Sequence, residues 1–463
     1  MTRVVIIGGG PGGYESALVA AQLGAEVTVV DRDGLGGSAV LTDCVPSKTL
    51  VATADLMTTT ADSGELGVRI AGQCPGPSLV SVDLPTVNER VKQLAHAQST
   101  DIEARLEREG VRVLRASGRL EGPAAVVAEF GDGAVERLDA DAVLVATGAR
   151  PRIVKGAEPD GERILSWDQV YDLTELPERL IVVGSGVTGA EFASAYTALG
   201  SDVVLVSSRE RVLPGEDADA ARVLEDVFAR RGMTVMNRSR GAGVRRTARG
   251  VIVELTDGGT VEGSHCLMAV GSIPNTESLG LVEAGVSLSD AGYVEVDRVS
   301  RTGARGVYAA GDVTGVLMLA SVAAMQGRIA MWHCLGDAVT PLDLKTVSSN
   351  VFTDPEIATV GWAESDVAAG SIEACVVKLP LATNARAKMQ GLRDGFVKLL
   401  CSPGTGIVIG GVVVAPRASE LIFPIAIAVD QRLTVDQVAH TFTVYPSLTG
   451  SIAEAARQLH LRS

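Results

Sequence analysis

The chain has 463 residues, a formal net charge of −15 at pH 7, 52 glycines and few aromatic residues (7 Phe, 6 Tyr and 3 Trp). At about 150 residues per domain, this length predicts roughly three domains, and the negative charge argues against nucleic acid as a partner because both carry the same sign. No apolar run reaches the roughly 18 residues of a membrane-spanning helix, and an apolar strand begins by Val4 with no charged leader before it. We therefore expect no transmembrane segment, no signal peptide and a cytoplasmic location.

The first element is an apolar strand, Val4–Ile7, followed by a glycine-rich segment and a helix pattern. The glycine spacing G-x-G-x-x-G occupies Gly8, Gly10 and Gly13. A second strand, Ala25–Val30, ends at Asp31. Such glycines let the backbone approach a pyrophosphate at a helix N-terminus, and an acidic residue after the second strand can accept a hydrogen bond from a ribose hydroxyl. This pattern predicts a dinucleotide-binding site.

The same unit occurs a second time. Strands are predicted at Leu180–Val183 and Ser201–Val206, and Gly184, Gly186 and Gly189 each lie 176 residues after their counterparts in the first unit. Two dinucleotide sites in one chain indicate electron transfer between two cofactors.

Ser207 occupies the position that Asp31 has in the first unit, and Ser208 and Arg209 follow it. A carboxylate would repel a 2′-phosphate, whereas hydroxyls and a guanidinium can bind one. The pattern therefore favours NADPH, with NADH as a possible second donor. The alternative interpretation is that Arg209 and Arg211 belong to a solvated loop.

The remaining elements are read from apolar runs and periodicity. Strands at Ala142–Ala146 and Gly306–Ala310 lead to Thr147-Gly148 and Gly311-Asp312, and the second turn could bind a polyol. Helices are predicted at Thr86–Gly110, Leu319–Met331, Ala418–Asp430 and Val435–Ala439, with strands within Val347–Val360 and Phe396–Val414. The last third contains no nucleotide motif, so it predicts a domain for subunit contact or substrate.

The six cysteines contain no C-x-x-C pair, so they predict neither a disulfide framework nor a metal site. Cys44 alone stands in an informative segment, Cys44-Val45-Pro46-Ser47-Lys48.

These segments together resemble the flavoprotein disulfide reductase family (the class I pyridine nucleotide-disulfide oxidoreductases), which includes dihydrolipoamide dehydrogenase, glutathione reductase and mercuric reductase. The resemblance rests on both glycine motifs, the Cys44–Lys48 segment, Ala146-Thr147-Gly148, Val270-Gly271, Gly311-Asp312 and Val351–Glu356, and it covers essentially the whole chain. It implies an α/β fold with two Rossmann-like dinucleotide-binding domains and an α+β C-terminal dimerisation domain. The implied segments are 1–150 and 276–346 for FAD, 151–275 for NAD(P)H, and 347–463 for a homodimer interface.

By the same resemblance, FAD occupies the first nucleotide site and NAD(P)H the second, and Lys48 pairs with Glu191 beside the flavin. The Gly311-Asp312 turn would hold the ribityl chain. The implied cofactor-binding residues are Gly8, Gly10, Gly13, Asp31, Gly37, Ser38, Cys44, Lys48, Gly118, Thr147, Gly148, Gly184, Gly186, Gly189, Glu191, Ser207, Ser208, Arg209, Gly271, Gly311, Asp312 and Ala320.

Two departures from the family pattern concern the disulfide chemistry. Where the family has two cysteines five residues apart, this chain has Ala39 and Cys44, and one thiol cannot form an intramolecular disulfide. Where the family has a histidine and a glutamate near the C-terminus, this chain has Tyr445 and Gly450. The ordinary tyrosine pKa, about 10, makes that side chain a poor proton shuttle at neutral pH.

A third departure is Ser272, where the family commonly has an arginine; either a nucleotide contact or a domain contact would be lost. The departures predict an NAD(P)H:quinone oxidoreductase that resembles dihydrolipoamide dehydrogenase but reduces no disulfide. Lys48, Glu191 and the partner chain's Tyr445 are the expected catalytic residues, and Ala39-Val40-Leu41 would supply an apolar surface for a flat ring. Tyr445 either lines that site or merely fills the volume of the histidine. A pyridine-nucleotide transhydrogenase (diaphorase) and an FAD-binding regulatory protein are the alternatives.

Overall fold

The computed structural model describes residues 1–76 and 79–460. The strands, in chain order, are β1 (Arg3–Ile7), β2 (Glu26–Asp31), β3 (Arg112–Leu120), β4 (Ala125–Phe130), β5 (Val135–Asp139), β6 (Ala142–Val145), β7 (Ala149–Pro151), β8 (Ile164–Ser166), β9 (Arg179–Val183), β10 (Asp202–Val206), β11 (Thr234–Met236), β12 (Gly241–Arg246), β13 (Val251–Leu255), β14 (Thr260–Gly263), β15 (His265–Met268), β16 (Ser272–Pro274), β17 (Val307–Ala309), β18 (Ser348–Val351), β19 (Glu356–Gly361), β20 (Cys375–Pro380), β21 (Phe396–Cys401) and β22 (Val408–Ala415). The α-helices are α1 (Pro11–Gln22), α2 (Gly37–Leu41), α3 (Cys44–Asp62), α4 (Leu84–Arg108), α5 (Val187–Leu199), α6 (Ala218–Arg230), α7 (Ala320–Cys334), α8 (Glu364–Ala368), α9 (Ala385–Met389), α10 (Ala418–Leu421), α11 (Phe423–Asp430), α12 (Val435–His440) and α13 (Gly450–His460).

Internal packing divides the chain into two compact units. The first unit comprises Met1–Thr49, Asn88–Arg152 and Gly271–Asp343, and the second comprises Leu50–Val87, Ile153–Val270 and Leu344–Ser463. The four segment boundaries expected from the sequence stay a prediction.

The first unit contains a seven-stranded sheet in the order β17-β6-β1-β2-β3-β4-β5. The strands from β17 to β3 are parallel, and β3, β4 and β5 pair antiparallel. Strand β1 is buried on both faces: Val5 and Ile7 belong to one apolar core, and Val4 and Ile6 to another. This burial explains its continuous apolar run, since a central parallel strand has no solvent face.

The second unit contains two larger sheets. A parallel sheet in the order β11-β10-β9-β15-β8 carries the second glycine motif between β9 and α5, as expected for a second Rossmann-like fold. An antiparallel sheet in the order β18-β19-β22-β21-β20 packs one face against a core that includes residues of α10, α11 and α13. The predicted fold class, two Rossmann-like folds followed by an α+β C-terminal region, is confirmed.

Two local features differ from the sequence expectation. The helix expected over Ala418–Asp430 is interrupted at Ile422, because Pro424 lies in the first turn of α11 and its ring nitrogen cannot donate to a continuous helix. Helix α13 was not predicted from the sequence. Small residues such as Ser451, Ala455 and Ala456 form much of its buried face, so few large apolar side chains indicate a helix there. No helix in the described part of the chain is long and apolar enough to cross a membrane.

His265 in β15 gives a pH-dependent contribution to stability. Its Nδ1 lies 3.0 Å from Ser264 Oγ, and Arg163 Nη1 lies 3.5 Å from its Nε2. Burial, together with the charge of Arg163, lowers the pKa of His265 from 6.5 to about 4. The folded state therefore keeps this imidazole neutral at pH values where the unfolded chain binds a proton, so stability falls as the pH drops from 6.5 towards 4.

We expect His265 to account for about 2 kcal/mol of lost unfolding free energy between pH 7 and pH 5, at 1.36 kcal/mol per pKa unit. Urea unfolding at several pH values, compared between the wild type and His265→Gln, measures this contribution. The variant should lose less stability over this range, and parallel pH profiles for the two proteins would contradict the prediction.

Candidate functional site

The first and third glycines of the first motif are required by the chain's own packing. A Cβ atom at Gly8 would lie 2.3 Å from the Ala146 carbonyl oxygen, and one at Gly13 would lie 1.9 Å from the Gly8 carbonyl oxygen. The middle residue, Gly10, is different: its nearest neighbour would be the Cα atom of Gly37, at 3.9 Å. Gly10 is also the N-cap of α1, so the open space lies at a helix N-terminus, where a pyrophosphate fits.

The second motif repeats this arrangement. A Cβ atom at Gly184 would lie 2.1 Å from the Ala269 carbonyl oxygen, and one at Gly189 would lie 1.9 Å from the Gly184 carbonyl oxygen. A Cβ atom at Gly186 would meet no atom within 4 Å, and Gly186 is the N-cap of α5. The open space at the N-terminus of α5 therefore fits the pyrophosphate of a second nucleotide.

The residues that end the second strand of each unit form different contacts. Asp31 Oδ2 accepts the Gly9 N–H at 2.7 Å, and Asp31 Oδ1 accepts the N–H groups of Asp33 and Gly34. Ser207 is fully buried, and its Oγ lies 2.6 Å from Ser185 Oγ. The hydroxyl at position 207 is thus used within the protein, while Ser208 and Arg209 are exposed.

A cleft of about 350 Å³ opens beside Asp31 in the first unit. Gly8, Gly118 and Thr147, three of the candidate cofactor-binding residues, line this cleft. Gly118 is tightly packed, since a Cβ atom there would lie 3.0 Å from Ile7 Cγ2, and that side chain would have to shift to admit it.

Arg150 and Asn275 also line this cleft and were not among the candidate cofactor residues. Asn275 Nδ2 donates to the Thr147 carbonyl oxygen at 2.9 Å, and Arg150 Nη1 donates to Asn275 Oδ1 at 3.0 Å. The sequence feature that could have identified Arg150 is its position two residues after the predicted Thr147-Gly148 turn. Asn275 had no such feature, because its hydrogen-bond partners Thr147 and Arg150 are distant from it in sequence.

The Gly311-Asp312 turn is held by buried polar contacts. Gly311 has φ +84° and donates its N–H to Gln326 Oε1 at 2.9 Å. Burial, and secondarily the negative charge of Asp43, raises the pKa of Asp312 to about 6. A hydrogen-bond donor such as a ribityl hydroxyl would relieve the cost of that buried carboxylate.

The segment that contains Ala39 and Cys44, where the family has its two cysteines, lies at the starts of two helices. Gly37 and Ser38 begin α2, which also carries Ala39, and Cys44 begins α3. Lys48 lies one turn further along α3 and is half-buried. A Cβ atom at Gly37 would lie 2.8 Å from the Gly10 Cα, so the α2 backbone contacts the first glycine motif.

Glu191 lies on α5 within the second unit and is 4% exposed. Its Oε1 accepts the Phe352 N–H at 2.9 Å, which fixes the carboxylate relative to the segment before β19. The expected ion pair between Lys48 and Glu191 stays a prediction.

The remaining candidates lie at turns or helix starts. Tyr445 is 85% exposed within this single chain, and Gly450 is the first residue of α13. Gly148 and Gly271 have φ +68° and +90°, and Ala320 is the first residue of α7. At position 272, where the family commonly has an arginine, the Ser272 carbonyl oxygen accepts a hydrogen bond from Arg152 Nη2 of the same chain at 3.3 Å. A guanidinium therefore lies near this position. Among the described residues, no group of His, Cys, Asp and Glu side chains could hold a metal ion.

Comparisons with known proteins agree with this geometry. Residues 2–327 match the family model "Pyridine nucleotide-disulphide oxidoreductase", and residues 347–456 match its "dimerisation domain". An "NAD(P)H dehydrogenase (quinone)" of Mycobacterium tuberculosis is 57% identical over 99% of this chain and 94% of its own length.

A dihydrolipoyl dehydrogenase of Chlorobaculum parvum is 33% identical over 98% of this chain and 96% of its own length. The crystal structure of LpdA from Mycobacterium tuberculosis has a TM-score of 0.94 and 56% identity, and the match covers 99% of this chain and all of that one. Family membership implies FAD and a nicotinamide nucleotide as cofactors. With its two open glycine motifs and these full-length relatives, the chain belongs to the pyridine nucleotide-disulfide oxidoreductase family.

Proposed function

We propose that the protein passes a hydride from NAD(P)H through FAD to a quinone and does not reduce disulfides. The observation that carries this proposal is the alanine at position 39, where the family has the thiol that exchanges with a disulfide substrate. Cys44 alone cannot store two electrons as a dithiol, so the acceptor must be one that needs no thiol. The printed name of the 57% identical relative, NAD(P)H dehydrogenase (quinone), supports the same class of acceptor.

The chain's own residues would bind the cofactors and stabilise charge. FAD, when bound, supplies the redox chemistry by accepting a hydride from the nicotinamide and passing electrons to the acceptor. Gly10 and Gly186 leave room for the two pyrophosphates at the starts of α1 and α5. The ammonium of Lys48 would stabilise negative charge near the flavin, as a fixed cation does beside a developing anion.

NADPH is the proposed donor, with NADH as a weaker one. Ser207 is buried against Ser185, so the exposed Ser208 and Arg209 are the residues that would contact a 2′-phosphate. Measuring kcat/KM for both nucleotides tests the assignment, and a strong preference for NADH would contradict it.

We further propose a homodimer formed through residues 347–463, in agreement with the match to the dimerisation model. Tyr445 would then line the acceptor site of the partner chain. Tyr445→Phe should raise KM for the quinone if its hydroxyl binds the acceptor, whereas an unchanged KM would assign it a space-filling role.

An acceptor panel tests the central proposal. NADPH oxidation is followed with 1,4-naphthoquinone, lipoamide, oxidised glutathione and NAD⁺ as separate acceptors. Turnover with the quinone alone is the expected result, and robust reduction of either disulfide would refute the proposal. Transfer mainly to NAD⁺ would identify a transhydrogenase, and failure of NAD(P)H to bleach the bound flavin without oxygen would identify a regulatory protein.

The Cys44→Ser variant should retain most of its quinone reductase activity. The thiol has no covalent role in the proposed reaction, and the Cys44 main chain, whose carbonyl oxygen accepts from Ser47 Oγ at 3.4 Å, is unaffected by the change. Steady-state kinetics with 1,4-naphthoquinone and the flavin absorbance of the purified variant check this. Loss of activity with FAD still bound would show that the thiol takes part.

A further inference from the structure

A buried lysine in the C-terminal sheet contacts three carboxylates. Lys398 lies in β21, and its side chain is 2% exposed. Its Nζ lies 2.7 Å from Asp217 Oδ2, 3.0 Å from Asp219 Oδ2 and 2.5 Å from Glu364 Oε2. A buried ammonium is tolerated only when it is paired in this way, and removing its partners would leave an uncompensated buried charge.

The neighbouring strand brings a second lysine to the same place. Lys378 in β20 lies directly opposite Lys398 in the strand register, and its Nζ is 2.9 Å from Asp219 Oδ2. Like charges at facing positions of adjacent strands destabilise a sheet unless other groups neutralise them. Here the neutralising groups are contributed by α6 of the second Rossmann-like fold and by α8.

Two of the three acidic partners, Asp217 and Asp219, lie at the N-terminus of α6. Asp217 is its N-cap, and its side chain accepts the N–H groups of Asp219 and Ala220. Burial of Asp219 opposes ionisation, but hydrogen bonds from Lys378 and Lys398 lower its pKa well below the usual range. Asp217 therefore has two roles: it caps α6, and its charge holds the start of this helix against Lys398 in the antiparallel sheet.

Helix α6 in turn fixes the loop that follows β10. Glu225 on α6 accepts the Val212 N–H at 2.8 Å, and the next residue, Leu213, donates its N–H to the Ser185 carbonyl oxygen at 2.9 Å. Leu213 has φ +49°, a conformation that a leucine adopts only where its surroundings hold it. Ser185 lies between Gly184 and Gly186, so this loop contacts the second glycine motif.

We infer that Lys398 is a positioning residue for the NAD(P)H site: through Asp217 and α6 it holds the 207–216 loop against the second glycine motif. The contacts of Lys398 with Asp217 and Asp219 lie at the start of α6, so its effect on the nucleotide is exerted through that helix. The inference rests on the proposed function in assigning the second motif to NAD(P)H. It makes the C-terminal sheet a determinant of nucleotide affinity.

The test compares Lys398→Met with the matched control Lys378→Met in the full-length flavoprotein. Lys378 has an exposed side chain, and the carboxylate that it contacts in the described part of the chain is that of Asp219, so its loss should change nucleotide affinity little. Lys398→Met should raise both KM for NADPH and the Kd for NADP⁺ measured by calorimetry. We expect about a tenfold increase, within the range for side chains that act on a site they do not touch.

The readouts separate positioning from general destabilisation. A positioning role predicts that kcat, KM for the quinone and FAD content change little, and that Lys398→Arg restores much of the nucleotide affinity. If Lys398→Met does not fold, Asp217→Asn replaces it, because asparagine still caps a helix but lacks the charge. Equal binding of NADP⁺ by wild type and variant, or parallel losses of kcat and FAD, would overturn the inference.

The calorimetric measurement is independent of the acceptor. If wild type binds NADP⁺ but reduces no quinone, the proposed function fails while the role of Lys398 is still decided by the Kd values. If wild type binds neither NADP⁺ nor NAD⁺, both are overturned.

Discussion

The Gly186→Val variant should fold normally and bind FAD but lose almost all turnover with NADPH and NADH. Gly186 has φ −72°, which valine also adopts, and a Cβ atom there meets no protein atom within 4 Å. The added methyl groups would instead occupy the space in front of the α5 N-terminus, where a pyrophosphate would accept backbone hydrogen bonds.

The expected magnitude follows from the hydrogen bonds lost. Two bonds to a charged phosphate at about 1.5–3 kcal/mol each correspond to an increase in KM of on the order of 100-fold or more. Steady-state kinetics, flavin absorbance and thermal unfolding of the purified variant provide the measurement.

Gly189→Val is the matched contrast within the same motif. Its Cβ atom would lie 1.9 Å from the Gly184 carbonyl oxygen, so we expect failure to fold rather than selective loss of nucleotide binding. Normal NADPH kinetics in Gly186→Val would show that the nucleotide does not bind at the start of α5.

The duplicated glycine motifs could be predicted from sequence because each depends on residues close together in the chain. The different contacts of Asp31 and Ser207 were harder to predict from the sequence. In the first unit a backbone N–H at Gly9 donates to Asp31, whereas in the second the side chain of Ser185 contacts Ser207. The 176-residue offset pairs Ser185 with Gly9, so the two changes accompany each other, but their contact required the structure.

The contacts of Lys398 could not be predicted in this way. In sequence it is a single lysine in the apolar run Phe396–Cys401, and the Asp217 carboxylate that it contacts at 2.7 Å lies 181 residues earlier. Likewise, Arg150 and Asn275 meet across 125 residues of chain. Local patterns identify strands and nucleotide turns, while polar pairs between distant elements depend on how those elements pack.

The triple variant Ala39→Cys/Tyr445→His/Gly450→Glu should gain disulfide reductase activity that the wild type lacks. The substitutions restore the second thiol and the acid/base pair implied by the family resemblance. The structure accommodates the substitutions at positions 445 and 450, since Tyr445 is exposed and a Cβ atom at Gly450 would have Ser447 Oγ, at 3.8 Å, as its nearest neighbour. A glutamate at the start of α13 is also favoured by the helix dipole.

The second thiol and the acid/base pair should contribute unequally to the rate of disulfide reduction. Ala39→Cys alone should reduce lipoamide or oxidised glutathione only slowly, because Tyr445 and Gly450 replace the acid/base pair that moves the thiol proton in the family. Adding Tyr445→His and Gly450→Glu should raise that rate by about 10²-fold or more, the usual contribution of general acid–base catalysis. NADPH and NADH oxidation with each disulfide, assayed in the single and triple variants, measures the two steps separately.

The control is the triple variant carrying Cys44→Ser in addition. It should lose the gained disulfide activity but keep quinone reduction, because only the first reaction needs two thiols to carry electrons from the flavin to the substrate. Disulfide turnover that survives without Cys44 would show that the electrons take another route. Lipoamide reduction by the wild type at a comparable rate would show that Ala39 does not separate this chain from the disulfide reductases.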